Sequence, residues 1–560
     1  MNLKSHTLLF TASLFLLAAC SVKTTENQTI PLNEFEDKLK AAWIGQMVGV
    51  GWAAPTEFKW IGDIIPEDKI PEWTTETINQ FGQDDMYVEM TFVETLEKYG
   101  IDASIRQAGI DFANTQYGLA VANDLSRESL RRGIAPPASG HPRFSSCSEA
   151  IDYQIEADFS GIIAPGMPQV PIELGEKFGL IMNYGDGMYA GQFVGAMYSA
   201  AYFETDMRKV VEMGLAAIPD SSLYAICMRE VIAWHDENPT DWKIAWRKIV
   251  DKYYNTLDHQ PFHKITPEAW VGIDAKLNGA FIVLGLLYGN GDIETTFYVS
   301  ACSGFDSDCN PSNALGILFT SKGLSNIPEK YYSGLDNTKK FSYTNYTFPE
   351  LIEVSKKLAL QYLSKYGGKV ENGSDQQPYL TIPKVAPMPS KLERAWEPCP
   401  LDEATIYFTA DEMKNINFLP SSAFKEILSV FAPGWLINGA TTEATPELIS
   451  LYGHDNVLQM AFFKKGGCTI RHELIVPDTK NPKLIVSVAN DPDKSWKMDI
   501  RFNWKSVYSV NVNDNLTKKG WHDVVYDLSE YRGKKLFISI QGSEADGNNS
   551  KVYLSNLNIK

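Results

Sequence analysis

The chain has 560 residues, 44% of them hydrophobic and 12% aromatic, and a formal net charge of −18. This composition excludes a disordered chain, and the length exceeds what a single core organises, so two or three domains are expected. The acidity argues against nucleic acid or an anionic membrane surface as partner and suits cation binding.

The first element is a targeting segment. Lys4 gives a short basic region and Leu8 to Leu17 an apolar run too short to span a bilayer, followed by small residues. Leu17-Ala18-Ala19-Cys20 resembles a bacterial lipoprotein signal, in which Cys20 is lipidated and becomes the first residue. The alternative is an ordinary secretory signal with an incidental cysteine. Residues 1–20 are thus read as a signal peptide and 21–30 as a polar tether. The body touches a membrane only through a lipid, in the periplasm or at the outer membrane, with the face left open. No other segment reaches about 18 uninterrupted apolar residues. The other six cysteines are scattered without metal-ribbon or disulfide spacing.

Residues 31–365 read as one large all-α domain. Phe35, Leu39, Trp43 and Met47 recur every four residues, as do apolar residues from Met86 to Leu96 ahead of a stop at Gly100. Ala280 to Tyr288 is an apolar helical run closed by Gly289-Asn290-Gly291, and another helix follows Pro311. Residues 366–404, rich in glycine and proline, are expected to form a linker or a strap across the surface. From 405 to 560 the period shifts to two, as in Lys497-Met498-Asp499-Ile500-Arg501-Phe502, with turn signals between short runs. This predicts an antiparallel β-sandwich. Its Trp521 to Lys534 stretch loosely resembles jelly-roll, galactose-binding-like modules, so carbohydrate binding stands beside a purely structural role.

Two acidic clusters lie more than two hundred positions apart: Gln83-Asp84-Asp85-Met86 and Gly304-Phe305-Asp306-Ser307-Asp308-Cys309-Asn310. Carboxylates at adjacent and alternate positions repel one another. Oxygen-rich clusters of this kind suit hard divalent ions: Mg²⁺ foremost, with Mn²⁺ or Ca²⁺ as alternatives. The competing explanation is that the aspartates cap helices. A third element is the glycine-rich helix end Gly45-Gln46-Met47-Val48-Gly49-Val50-Gly51, followed by Glu57 in a loop.

The order of these elements, with Ala157-Asp158-Phe159-Ser160-Gly161 and Asn183-Tyr184-Gly185-Asp186-Gly187-Met188-Tyr189 between them, resembles the ADP-ribosylglycohydrolase superfamily over roughly residues 35–335. The resemblance implies an all-α fold holding one or two Mg²⁺ ions and cleaving a glycosidic bond at C1 of a ribose. By position it implies Asp84, Asp85, Asp306 and Asp308 as metal ligands, with Gln83 and Cys309 beside them. Glu57 and Asp85 would be catalytic, Glu57 facing the water at the metal or the sugar. Asp158, Asn183, Asp186 and Tyr189 would touch substrate. The chain departs from the family where Gln83 stands for a threonine, Cys309 for a threonine or serine, and Val50 for an aspartate. An amide oxygen is still a hard ligand, whereas a thiol is a poor one for Mg²⁺.

Export and an attached sandwich point to a metal-dependent glycoside hydrolase acting on a furanoside-like sugar in glycan processing outside the cytoplasm. The alternatives are hydrolysis of ADP-ribosyl or nucleoside conjugates and a non-catalytic glycan-binding lipoprotein. The substrate is a small molecule or glycan in each case, and the oligomeric state is left open.

Overall fold

The structure, a computed structural model, describes residues 26–255, 272–374, 376–417, 425–438, 446–461, 468–503, 505–545 and 550–560. The signal peptide with Cys20, and residues 21–25 of the tether, lie outside the described residues. No described helix is long and apolar enough to cross a membrane.

Helix α1 (Leu32–Ala53) is the axis of the first domain. Phe35, Leu39, Trp43 and Met47 are wholly buried, as the four-residue spacing predicts. From Ala41 onward, however, every residue of α1 is buried, on all faces. The reason is close contact with a later helix. A side chain on Gly49 would lie 2.3 Å from the Pro311 carbonyl oxygen, and one on Gly45 would lie 2.5 Å from that of Leu315. The two backbones therefore touch directly, and the glycine-rich helix end is a packing surface.

Around α1 stand α2 (Asp84–Tyr99), α3 (Ile105–Ala113), α4 (Val121–Arg131), α5 (Asp186–Ala201), α6 (Ala275–Gly289), α7 (Cys309–Lys322) and α8 (Phe348–Lys365), with further helices at Met207–Leu215, Leu223–Glu237, Trp242–Val250 and Ile293–Cys302 and shorter turns between them. Local chemistry sets their ends. Gly100 stops α2 at φ +86°, Asn290 closes α6 in the left-handed region, and Thr347 and Glu350 form a reciprocal capping box at the start of α8. Helix α5 is buried throughout.

The glycine- and proline-rich stretch is a strap with structure of its own. β1 (Asn27–Pro31), β2 (Lys369–Asn372) and β3 (Pro378–Pro383) form an antiparallel sheet in the order β1-β3-β2, with Asn27 opposite Pro383. Ile30, Leu380 and Ile382 enter the helical core. Residues assigned to a tether and a linker thus belong to the first domain, because they carry apolar side chains that its surface can bury. The same holds for residues just beyond 404. Ala135 N donates to Ile406 O at 2.7 Å, Phe408 N to Gly133 O at 2.8 Å, and Arg106 bonds both oxygens of Glu412. Phe408 also packs into the helical core.

A second core begins at Leu428. Two antiparallel five-stranded sheets enclose it: β4 (Leu436–Asn438), β7 (Cys468–Ile475), β9 (Trp496–Phe502), β10 (Lys505–Val512) and β12 (Lys535–Glu544) in the order β10-β9-β12-β7-β4, and β5 (Glu447–Leu451), β6 (His454–Met460), β8 (Lys483–Ala489), β11 (His522–Asp527) and β13 (Val552–Ile559) in the order β11-β8-β13-β6-β5. The predicted alternation holds in β9, where Trp496, Met498, Ile500 and Phe502 point inward. The sandwich meets the helical domain at a buried ion pair between Arg471 on β7 and Asp124 on α4.

Candidate metal centre

The start of α2 and the start of α7 converge. Asp84 and Asp85 occupy the first turn of α2, where the unpaired N–H groups and the positive end of the helix favour anions. Asp308 is the N-cap of α7 and accepts a hydrogen bond from Cys309 N at 3.1 Å. The capping explanation is thus satisfied for Asp308, but it accounts for one oxygen of one residue.

Asp306 is placed by a strained loop. Gly304 lies at φ +76° and Phe305, a non-glycine residue, at φ +60°. A side chain at Gly304 would lie 2.6 Å from Trp60 O, so only glycine fits. This loop is zipped to the one carrying Glu57: Phe58 N donates to Phe305 O at 3.0 Å, Phe305 N donates to Trp60 O at 2.8 Å, and the hydroxyls of Thr56 and Ser307 share a hydrogen bond of 2.8 Å. The two motifs are therefore held as one unit, and left-handed backbone at a bulky residue persists only where its surroundings enforce it.

The result is a pair of adjoining triads. Oxygens of Glu57, Asp306 and Asp308 lie within 4.8 Å of one another, and so do oxygens of Asp85 and Asp308 with the Cys309 sulfur. Asp308 belongs to both. Asp85, Asp306 and Asp308 are buried, whereas Glu57 and Asp84 remain open to solvent at the rim. Burial and mutual repulsion push the carboxyls of Asp85, Asp306 and Asp308 well above their ordinary range. Crowding by protein, then Asp308 and Asp84, raises Glu57 to about 8. Asp85 Oδ1 and Asp306 Oδ1 are buried and receive no hydrogen bond. Orphaned carboxylate oxygens aimed into a cluster of oxygen donors fit a hard divalent cation. Cys309 Sγ instead donates to Asp85 Oδ2 at 3.4 Å, and burial keeps its thiol protonated. Gln83, the N-cap of α2, turns its amide to Gln80 Oε1 at 3.2 Å.

The four residues expected to touch substrate have other partners. Asp158 is wholly buried and takes hydrogen bonds from Gln46, Tyr198 and Asn313, tying α1, α5 and α7 together. Asn183 accepts from Tyr153 N and donates to Ser148 O and Ala150 O. Asp186 accepts from Tyr224 N and lies 3.9 Å from Lys276. The Tyr189 hydroxyl donates to Lys391 O in the strap and accepts from Glu393 N. None of the four shares a hydrogen bond or ion pair with the acids of the centre.

Two groups of buried acids were not anticipated. Asp152 and Glu156 face Asn123 and lie within electrostatic reach of Asp84. Burial lifts Asp152 to about 7. Their signal was present in Ile151-Asp152-Tyr153-Gln154-Ile155-Glu156-Ala157: two acids at helical spacing in an apolar stretch. Glu149 and Asp274 join the anticipated Asp186 around the fully buried Lys276, whose ammonium offsets part of their charge.

A family profile described as ADP-ribosylglycohydrolase matches residues 31–365. Among solved structures, one titled "ADP-ribosylglycohydrolase-related protein complex" is 14% identical, with a TM-score of 0.37, covering 60% of this chain and all of that one. Another, titled "CBM4 structure and function", is 12% identical, with a TM-score of 0.16, covering 22% of this chain and 85% of that one. None of the curated proteins matches. The profile spans more than half of the chain, and the protein belongs to the ADP-ribosylglycohydrolase family.

Proposed function

We propose that the protein is a metal-dependent glycoside hydrolase that cleaves a furanoside-like sugar at C1, anchored outside the cytoplasm through Cys20. The observation that carries this reading is the junction at Asp308, where buried acids with orphaned oxygens meet a rim glutamate that solvent reaches. Asp84, Asp85, Asp306 and Asp308 would hold the cation, and the Gln83 amide oxygen is a further hard donor beside them. When bound, the cation supplies the positive charge that polarises sugar hydroxyls and lowers the cost of activating water. Glu57 is suited to proton transfer. Its carboxyl sits at the mouth of the site, and its loop is locked to the Asp306 loop, so it meets substrate in one orientation. Asp85, on the floor of the site, orients the reacting sugar through the same cluster. Hydrolysis of an ADP-ribosyl conjugate is the second reading, and the family profile favours it.

The test uses the chain stripped with chelator and then titrated with Mg²⁺, Mn²⁺ and Ca²⁺. Sugar release is followed across furanosides, pyranosides and ADP-ribosyl compounds. The expected result is metal-dependent release from a furanoside, with Glu57→Gln still binding metal but turning over about 10²–10⁴-fold more slowly. Metal binding with no release from any glycoside would overturn the reading in favour of a glycan-binding protein.

A further inference from the structure

Beside the acidic centre lies a cluster of three tyrosines that the proposed reaction does not use. Tyr87 is one turn after Asp84 on α2, hence on the same helix face. Its ring centroid is 4.8 Å from that of Tyr117 and 5.1 Å from that of Tyr343, and the Tyr117–Tyr343 pair is at 5.7 Å, with both Tyr343 contacts edge-to-face. Tyr87 and Tyr117 are buried, whereas Tyr343 is 52% exposed. The hydroxyls of Tyr117 and Thr91 share a hydrogen bond, and the Tyr117 backbone carbonyl accepts from Arg127.

Tyr343 stands at the tip of a tight hairpin, where Phe341 N donates to Tyr346 O and Lys340 bridges to Thr347. Its own backbone is left-handed, at φ +61°. The hairpin is bound along the segment that leads into Asp84. Ser342 N donates to Phe81 O at 2.7 Å, the Phe81 and Phe341 rings are 5.0 Å apart, and Asn79 bonds to both Gly334 O and Asp336 N. The ring of Tyr343 is therefore held at a set position against Tyr87, which lies one turn along α2 from the rim residue Asp84. A large aromatic residue is a costly choice for an exposed left-handed turn tip, where glycine or asparagine would fit without strain.

We infer that Tyr343, backed by Tyr87 and Tyr117, is the stacking platform for the second sugar unit of the substrate, the one joined to the sugar held at the acids; this rests on the glycoside-hydrolase reading above. The apolar face of a sugar ring covers an exposed tyrosine ring, and its rim hydroxyls stay in water. Because Tyr87 lies between this ring and Asp84, the platform acts only on substrates with a second ring.

The experiment compares, for the furanose that the wild type cleaves, its methyl glycoside with its disaccharide, using wild type, Tyr343→Phe, Tyr343→Ala and Tyr343→Gly. The expected result is that Tyr343→Ala and Tyr343→Gly raise KM for the disaccharide about tenfold or more and leave the methyl glycoside unchanged. Tyr343→Phe should match the wild type on both. Tyr343→Gly should also melt no lower than the wild type, since it relieves the backbone, which separates lost binding from lost folding. Equal effects on the two substrates, or none on either, would overturn the platform and leave the hydrolase reading intact. A wild type inactive on every glycoside would overturn both.

Discussion

Gly49→Ala tests whether the contact between α1 and α7 sets the metal centre. The added carbon would lie 2.3 Å from Pro311 O, 2.4 Å from Pro311 C and 2.5 Å from Ser312 Cα. All three atoms are backbone, so no side chain can swing aside. Ordinary contact begins at 3.4 Å, and the start of α7 must therefore move by about 1 Å. Overpacking of this kind costs about 1–3 kcal/mol, and the better helix propensity of alanine returns about 1 kcal/mol. The net loss of stability is expected at about 0–2 kcal/mol. The effect on the centre should be larger. Asp308 and Cys309 lie two to three residues before Pro311, whereas Asp85 is on α2, which does not share the clash. Metal sites tolerate about 0.2 Å in ligand distance, so a 1 Å displacement should weaken divalent-metal affinity at least about tenfold. Calorimetric titration with Mg²⁺ and Mn²⁺, beside thermal unfolding, reads both quantities. Gly118→Ala is the control, because nothing lies within 4 Å of its added carbon. If Gly49→Ala lost stability but kept wild-type metal affinity, the helix contact would not position the centre. If it changed neither, the close packing of α1 on α7 would itself be in error.

Four further outcomes follow from the same geometry. Asp308→Asn keeps an N-cap oxygen but removes a charge from a crowded site, so the metal-free protein should melt at or above the wild type; at 100-fold excess over Kd the metal should stabilise the wild type by about 2.7 kcal/mol and the variant far less, as read by melting with and without chelator. Cys309 donates to Asp85, and we predict that it does not ligate the metal: a Cd²⁺ titration should then show no thiolate charge-transfer band in the ultraviolet, and Cys309→Ser should keep Mg²⁺ affinity within about threefold. Arg471→Met removes one buried partner of Asp124, which keeps Arg127 and Arg131 in electrostatic reach, and should weaken the docking of the two domains by about 1.5–3 kcal/mol; the domain separation is measurable by small-angle scattering against denaturant. Hydrogen bonding to Arg106 holds Glu412 down to about 2. A lowered carboxyl stabilises above its unfolded value of about 4.5 and loses that contribution as pH falls toward 2, so hydrogen exchange in 402–417 should quicken over that window, and Glu412→Gln should abolish the pH dependence.

What was legible in the sequence was local. The stripe from Phe35 to Met47, the stops at Gly100 and Asn290, and the alternation in β9 are each encoded by neighbours a few residues away. The convergence of Glu57, Asp85, Asp306 and Asp308 was legible only through the order of motifs, since no local pattern states that two helix starts will meet. Long-range pairing was hidden. Nothing near Pro378 announces that β3 pairs with β1 more than three hundred residues earlier. Asp158 exposes a different limit. An aspartate facing a substrate and one bonded by three interior donors look alike in sequence, and only the positions of Gln46, Tyr198 and Asn313 tell them apart.

The arrangement of acids is too costly to be a by-product of helix capping. Two unit charges 4.8 Å apart, the separation that bounds Asp85 and Asp308, repel by about 3 kcal/mol at an effective dielectric of 20. A helix N-terminus returns about 0.3–1 kcal/mol, and up to about 2 kcal/mol in buried geometry. Two helix starts therefore fall short once Asp306 and Glu57 join the repulsion. Such a centre either retains protons or holds a cation. Asp306 and Asp308 are close enough to share a retained proton, but Asp85 Oδ1 meets no hydrogen-bond partner. We propose that a cation in either triad would offset the charge there, and that the strained Gly304-Phe305 turn serves to hold Asp306 against its neighbours' repulsion.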